Sequence, residues 1–124
     1  MNKIAALIVT YNRKDLLKEC IKALTRSEIP CDIIVIDNAS TDGTQDTLQG
    51  FVDQGVITYH NTGANLGGAG GFNFALKTAL KQDYDYFWIM DDDCIVQPDS
   101  LTQLMRVAKA HPDFGFLSSR VLWT

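Results

Sequence analysis

The feature that most constrains this chain is its repeated switch between two hydrophobic periodicities. Four apolar runs, "KIAALIVT" at 3–10, "CDIIVID" at 31–37, "VITYH" at 56–60 and "YDYFWIM" at 84–90, have the length of single strands. Between them the apolar residues recur every three or four positions, as helices require. Leu16, Leu17, Cys20, Ile21 and Leu24 share one face of 13–26, Leu48, Phe51 and Val52 follow "STDG", and a third helix is expected over 69–82. After Pro98, Leu101, Leu104, Met105 and Ala108 mark a fourth, ending at Ala110. Strands that are apolar on both faces must be covered on both, and alternating helices cover them around a parallel sheet. The expected fold is α/β, a Rossmann-like, mostly parallel sheet with helices on both faces, ending in a fifth strand "FGFLSSRVLW" at 114–123. Asn12, with Asp15 three residues on, predicts an N-cap for the first helix.

Composition adds limits. With 46% hydrophobic residues, the 124 positions are expected to fold as one domain without staples. Cys20, Cys31 and Cys94 are odd in number and form no CxxC pair, so they read as small apolar residues in a reducing compartment. No cleavable leader or spanning helix is evident in "MNKIAALIVTYNRK". The net charge of −4 and the scattered basic residues exclude a nucleic-acid footprint. A cytoplasmic protein, working as far as the inner face of the membrane, is the expectation.

The polar residues gather at the carboxyl ends of the strands: Thr10, Tyr11 and Asn12, then Asp37 and Asn38, then His60 and Asn61 leading to Asn65, then Asp91, Asp92 and Asp93. In an open α/β sheet those ends form the ligand crevice. Adjacent carboxylates ~6 Å apart repel by roughly 3 kcal/mol at an effective dielectric near 20, so the aspartate triplet requires a cation, N–H donors or open water. A dinucleotide site would need glycines after the first strand, and "VTYNRKD" has none. The segment "GFNFALKT" at 71–78 misses a P-loop because Leu76 stands before the lysine. A phospho-receiver module would place its acids after the first and third strands, where Thr10 to Asn12 and His60-Asn61 stand instead. If the strand continues through the triplet, Asp91 and Asp93 share one face and Asp92 takes the other. Two carboxylates completed by water and phosphate oxygens suit Mg²⁺ or Mn²⁺, so a metal held by Asp91 and Asp93 is expected beneath a nucleotide diphosphate.

The segments "ALIVTYNRKDLLKECIKAL", "IIVIDNASTDGT" and "MDDDC" resemble, in order, the opening strand and helix, the second strand and turn, and the DxD motif of GT-A, family 2 glycosyltransferases. "NTGANLGGAGGFN" is similar to the branch containing rhamnosyl and galactofuranosyl transferases. The resemblance covers residues 1–124 and implies the nucleotide-sugar-binding part of an enzyme that transfers sugar, with inversion, from a UDP- or dTDP-sugar to a hydroxyl of a saccharide or lipid-linked saccharide in cell-surface polysaccharide synthesis. It implies that Thr10 and Tyr11 line the base pocket, with Asn12 beside them, and that Asp37 bonds base or ribose. Asp37 capping the turn before "STDG" is the other reading. By the same resemblance Asp91 approaches ribose or metal, Asp93 ligates metal, and Asp92 reaches the sugar or solvent. The catalytic base is expected beyond Thr124.

Gly67, Gly68, Gly70 and Gly71 admit either close approach of a ligand at a helix N-terminus or tight packing of that helix on the sheet. Asn65, Gly67 and Gly68 are taken as donor contacts. His60 and His111 have no companion ligands and read as core or surface residues. A fifth strand apolar on both faces predicts a dimer or weak oligomer. Two further readings stay open: a sugar-phosphate nucleotidyltransferase, and a non-catalytic nucleotide-binding or signalling module.

Overall fold

The structure, a computed structural model of the chain, describes residues 3–111, 113 and 115. In chain order these form β1 (Ile4–Thr10), α1 (Lys14–Thr25), β2 (Asp32–Asp37), α2 (Thr44–Asp53), β3 (Ile57–Asn61), α3 (Gly67–Leu80), β4 (Tyr86–Asp91) and α4 (Ser100–Ala110). All the strand pairs are parallel, in the order β3-β2-β1-β4. The chain thus builds outward from β1 through β2 to β3, then crosses back to set β4 on β1's other side. That reversal puts a topological switch point between β1 and β4, where a parallel sheet opens a crevice beyond its strand ends.

Alternation along the central strands feeds two apolar layers. Ala6 and Ile8 of β1 and Ile33 and Val35 of β2 pack with Leu17, Cys20, Ile21 and Leu24 of α1 and Leu48 of α2. Ala5, Leu7, Ile34 and Ile36 point the other way, onto Ala75 and Ala79 of α3. On the first side α4 adds Leu101, Met105 and Ala108 against Ile4. The expected α/β sheet with helices on both faces is the observed one. β1 and β2 are buried almost throughout, whereas Ile89 of β4 is 50% exposed although it pairs with the buried Leu7. The reason is that α3 covers β1 and β2 and stops short of β4.

Two local expectations are corrected. Asn12 does not cap α1: the N-cap is Arg13, without a side-chain cap, and Asn12 sits at φ +52° with its Oδ1 accepting from the Thr41 N–H at 2.7 Å. The neighbouring β2 turn draws the amide away from the helix, while Asp15 keeps its place in the first turn, where the helix dipole favours an acid. Helix α3 begins at Gly67 rather than 69, because Gly67 adopts φ +75° and starts the helix directly from the loop. The fifth strand, and the self-association inferred from it, fall outside the described residues. No helix among the described residues is long and apolar enough to cross a membrane.

Candidate functional site

At the switch point lies an open cavity of about 420 Å³. Val9, Thr10, Tyr11 and Arg13 contribute from β1 and its loop, Asn38 from β2, Asn65, Gly67 and Gly68 from the entrance to α3, and Asp91, Asp92 and Asp93 from the end of β4. The sequence-derived site residues divide between the cavity and its support. Thr10, Tyr11, Asn65, Gly67, Gly68 and the triplet stand on the wall, whereas Asn12 and Asp37 do not.

Asp37 is 1% exposed and already saturated by the protein: it accepts from the Ser40 N–H at 2.9 Å and from the Tyr59 hydroxyl. These two bonds hold the β2 turn, as the capping reading of Asp37 expects. Burial and the bond to Asp37 push the Tyr59 phenol upward, which keeps it a donor at any physiological pH. Asn12 serves the same turn, its backbone N–H donating to Ser40 Oγ at 2.9 Å.

The triplet answers the repulsion problem with a cation from the chain itself. β4 ends at Asp91 and the next two residues turn, yet exposure still alternates: Asp91 and Asp93 face outward while Asp92 is 5% exposed. Asp92 accepts from Thr10 Oγ1 at 2.9 Å and pairs with Arg13 Nη1 at 3.4 Å, and the same nitrogen lies 3.9 Å from Asp93. Asp92 thus lines the cavity as a largely buried carboxylate already bonded to the chain's own Thr10 and Arg13. Burial raises its carboxyl above the usual range; the Thr10 hydroxyl and Arg13 pull it back toward ionisation, and its acidic neighbours oppose them. Thr10, 2% exposed, spends its hydroxyl on Asp92, so its contribution to the wall is mainly to fix that carboxylate.

Asp91 differs from both neighbours. Its backbone carbonyl accepts from the Cys94 N–H at 3.2 Å and from the Cys20 thiol at 3.8 Å. Its carboxylate has no hydrogen bond or ion pair among the described residues. Asp91 and Asp93 are hard oxygen donors, open to water and uncapped by backbone N–H groups, which fits a Mg²⁺- or Mn²⁺-type ion. No group of three or more His, Cys, Asp or Glu among the described residues could hold a metal. The remaining ligands would have to come from water and phosphate.

Opposite the acids, α3 begins without a side-chain cap and without an acid in its first turn. The Asn65 Oδ1 accepts from the Gly67 N–H at 2.9 Å, and the Asn38 amide donates to the Gly67 carbonyl at 3.1 Å, so both asparagines shape this loop. The glycines serve two ends. A Cβ on Gly71 would lie 2.5 Å from Val9 Cγ1 and 3.0 Å from Asn38 Nδ2, so that glycine lets α3 approach the sheet. Gly67 and Gly68 would meet nothing within 4 Å and leave the cavity open. Tyr11, 43% exposed, presents its ring at the rim.

Arg13 is a wall residue that sequence reasoning missed, and Asn38, placed at the strand-end crevice by the sequence, was given no contact there. Arg13 looks like the first charged position of an amphipathic helix; the signal was its place three residues beyond a strand end, in a sheet where another strand end carries three acids. The burial of the three thiols was legible in part: Cys20 is buried and Cys31 and Cys94 are partly so. Burial pushes Cys20 up to about 12 and Cys31 up to about 11, as expected for unreactive packing residues.

A parallel sheet whose switch point holds open carboxylates, an exposed ring and a glycine-lined helix start has the layout of an α/β ligand crevice. Comparison with known proteins makes this specific. The sequence model for glycosyl transferase family 2 matches residues 5–122, and the chain belongs to that family. Galactofuranosyltransferase GlfT1 of Mycobacterium tuberculosis is 37% identical over 94 residues, covering 73% of this chain and 30% of that protein. Abequosyltransferase RfbV of Salmonella typhimurium is 32% identical over 115 residues, covering 89% and 34%. The chain thus spans about a third of the length of these relatives. Among solved structures, the mannosyltransferase PcManGT of Pyrobaculum calidifontis, in complex with GDP-Man and Mn²⁺, superposes with a TM-score of 0.77 at 23% identity, over 86% of this chain and 32% of that one. At that identity the likeness speaks for the fold.

Proposed function

We propose that this chain binds a nucleotide-diphosphate sugar, of the UDP or dTDP class, for inverting, metal-assisted transfer to a hydroxyl of a saccharide or lipid-linked saccharide, in the synthesis of a cell-surface polysaccharide. The observation that carries the reading is the open Asp91 carboxylate, placed beside Asp93 at the switch point and facing the uncapped start of α3. Asp37 and Asp92, at the same strand ends, are used by the protein; an acid left uncommitted beside a cavity is a ligand group in waiting. Family membership supports transfer of a sugar over the nucleotidyltransferase and signalling alternatives. Relatives named for galactofuranosyl and abequosyl transfer support a sugar donor of that kind.

The residues divide the work. Tyr11 would stack on the base, an arrangement for which its exposed ring at the rim is suited. The backbone N–H groups of Gly68 and the next residues, at the positive end of α3, would receive phosphate or sugar oxygens. Asp91 and Asp93 would hold the divalent ion, which supplies neutralisation of the negative charge gathering on the leaving diphosphate. Thr10 and Asp92 hold Arg13 at the edge of that field. Asp37 and Asn12 act one layer behind, keeping the β2 turn in register so that Tyr11 is presented outward.

The test is calorimetric titration of UDP, dTDP and GDP with Mn²⁺, with Mg²⁺ and with chelator, followed by UDP-galactofuranose and dTDP-rhamnose as donors. Binding that strengthens with metal and favours the pyrimidine nucleotides is the expected result. Equal affinity in metal and chelator would show that Asp91 and Asp93 hold no metal for the nucleotide.

A further inference from the structure

Among the described residues that line the cavity, Arg13 is the only cation. Its guanidinium touches two acids that differ in kind. Asp92 has a side chain only 7% exposed and is tied to Thr10 as well, so it is a fixed anchor. Asp93 is 53% exposed, sits at 3.9 Å and has no other ion-pair partner among the described residues. A pair that long and that wet is weak and easily exchanged. Arg13 itself is 54% exposed in its side chain and lines the cavity. Asp91, the third acid, lies outside its reach.

Two ligand chemistries would pull on this guanidinium in opposite senses. A divalent cation on Asp93 competes with it for the same carboxylate and repels it. A diphosphate attracts it, because the planar fork of arginine matches phosphate oxygens and a charge-assisted pair there is stronger than the one to Asp93.

We propose that Arg13 couples the two: without nucleotide it occupies Asp93 and disfavours the bare cation, and when a nucleoside diphosphate enters it pivots on Asp92 to the phosphate oxygens, leaving Asp93 for the metal. This rests on the donor-site reading of the cavity. The consequence is positive coupling between metal and nucleotide, which must be reciprocal. The site then takes up the metal with its nucleotide instead of filling with cation beforehand.

The test compares wild type with Arg13→Ala and Arg13→Lys in the intact chain, with thermal melts showing that each variant folds. Titrating Mn²⁺ alone, Arg13→Ala should bind about three- to tenfold more tightly, since a positive charge a few ångströms from the ion is gone. Titrating UDP at saturating Mn²⁺, the same variant should bind about tenfold or more weakly. Arg13→Lys should stay near wild type for Mn²⁺ and fall between for UDP, keeping the charge and losing the fork. A merely structural arginine would move both ligands in one direction or neither. Unchanged or weaker Mn²⁺ binding by Arg13→Ala overturns the proposal, and so does unchanged UDP binding. If wild type binds no nucleoside diphosphate at all, the donor-site reading falls; the Mn²⁺ titration still decides by itself whether Arg13 competes for Asp93.

Discussion

Two strand ends in this molecule carry clusters of acids, and they have opposite fates. At the end of β2, Asp37 takes two protein donors, and Asp42 accepts from the Lys14 N–H at 3.3 Å and from both the N–H and the hydroxyl of Thr44. At the end of β4, Asp92 is secured while Asp91 and Asp93 are left facing water, and of these two only Asp93 has an ion pair among the described residues, the long one to Arg13. Both turns follow an apolar parallel strand, so neither composition nor strand type separates them. What separates them is position. β2 lies inside the sheet with β3 beyond it, and its acids are met by Tyr59 and by the loop from β1; β4 sits across the switch point, where no neighbouring loop among the described residues arrives to supply donors to Asp91. Acids that meet donors become structure, and acids that meet a crevice remain available to a ligand.

The comparison breaks most sharply in stability. Asp37→Ala should cost about 3 kcal/mol, since it strands the partly buried Ser40 N–H and removes the acceptor of Tyr59, whereas Asp91→Ala should stay within about 0.5 kcal/mol of wild type in urea unfolding. Equal losses would mean that β4's turn is as structural as β2's. Next in size is the glycine pair. Gly71→Ala should destabilise by about 2 kcal/mol through its collision with Val9, while Gly68→Ala should leave the melting temperature nearly unchanged and instead weaken nucleotide binding by intruding on the cavity. A Gly71 variant with wild-type stability would show that α3 can shift at little cost.

Asp93→Asn should lower nucleotide affinity about tenfold in Mn²⁺ and hardly at all in chelator, a difference of about 1.4 kcal/mol visible by calorimetry. Loss of the same size in both conditions would assign Asp93 to nucleotide rather than metal.

The smallest effect is in acid, and its sign differs between the turns. Asp42 is held below its ordinary 3.8, chiefly by the Thr44 hydroxyl, so its stabilising contribution is present above 3.8 and fades as pH falls through the lower folded value. Asp92 is raised above 3.8, chiefly by burial, so its ionised form penalises the fold at neutral pH and the penalty lifts as pH falls through the raised value toward 3.8. With chelator present, Asp42→Asn should therefore be less stable than wild type at neutral pH and Asp92→Asn at least as stable. Each gap should narrow as pH falls through the folded value of its own carboxyl, below 3.8 for Asp42 and above it for Asp92, read by urea melts. Gaps of the same sign would contradict the contrast between the turns.

Much of this was readable in the residues alone, for a physical reason. Four apolar runs separated by amphipathic stretches allow little but a parallel sheet covered on both sides, so the element order, the core and the gathering of polar residues at strand ends were legible in the chain. The triplet itself announced a site, because three adjacent carboxylates need a partner whatever the fold. Which partner was beyond local reasoning. That Arg13 crosses from the β1 loop to Asp92, that Thr10 spends its hydroxyl there, and that Asn12 turns from its helix to the β2 loop are all contacts between segments distant in the chain or set by a neighbouring turn. Periodicity and propensity carry no information about such pairings, since they describe each segment against a generic surrounding. The sequence by itself determined that the chain would fold as a doubly covered parallel sheet and that acids would crowd its carboxyl edge. The tertiary structure alone decided which of those acids meet donors and which stay open, because the strand order, set by how the helices pack, determines which loops lie close enough to satisfy them.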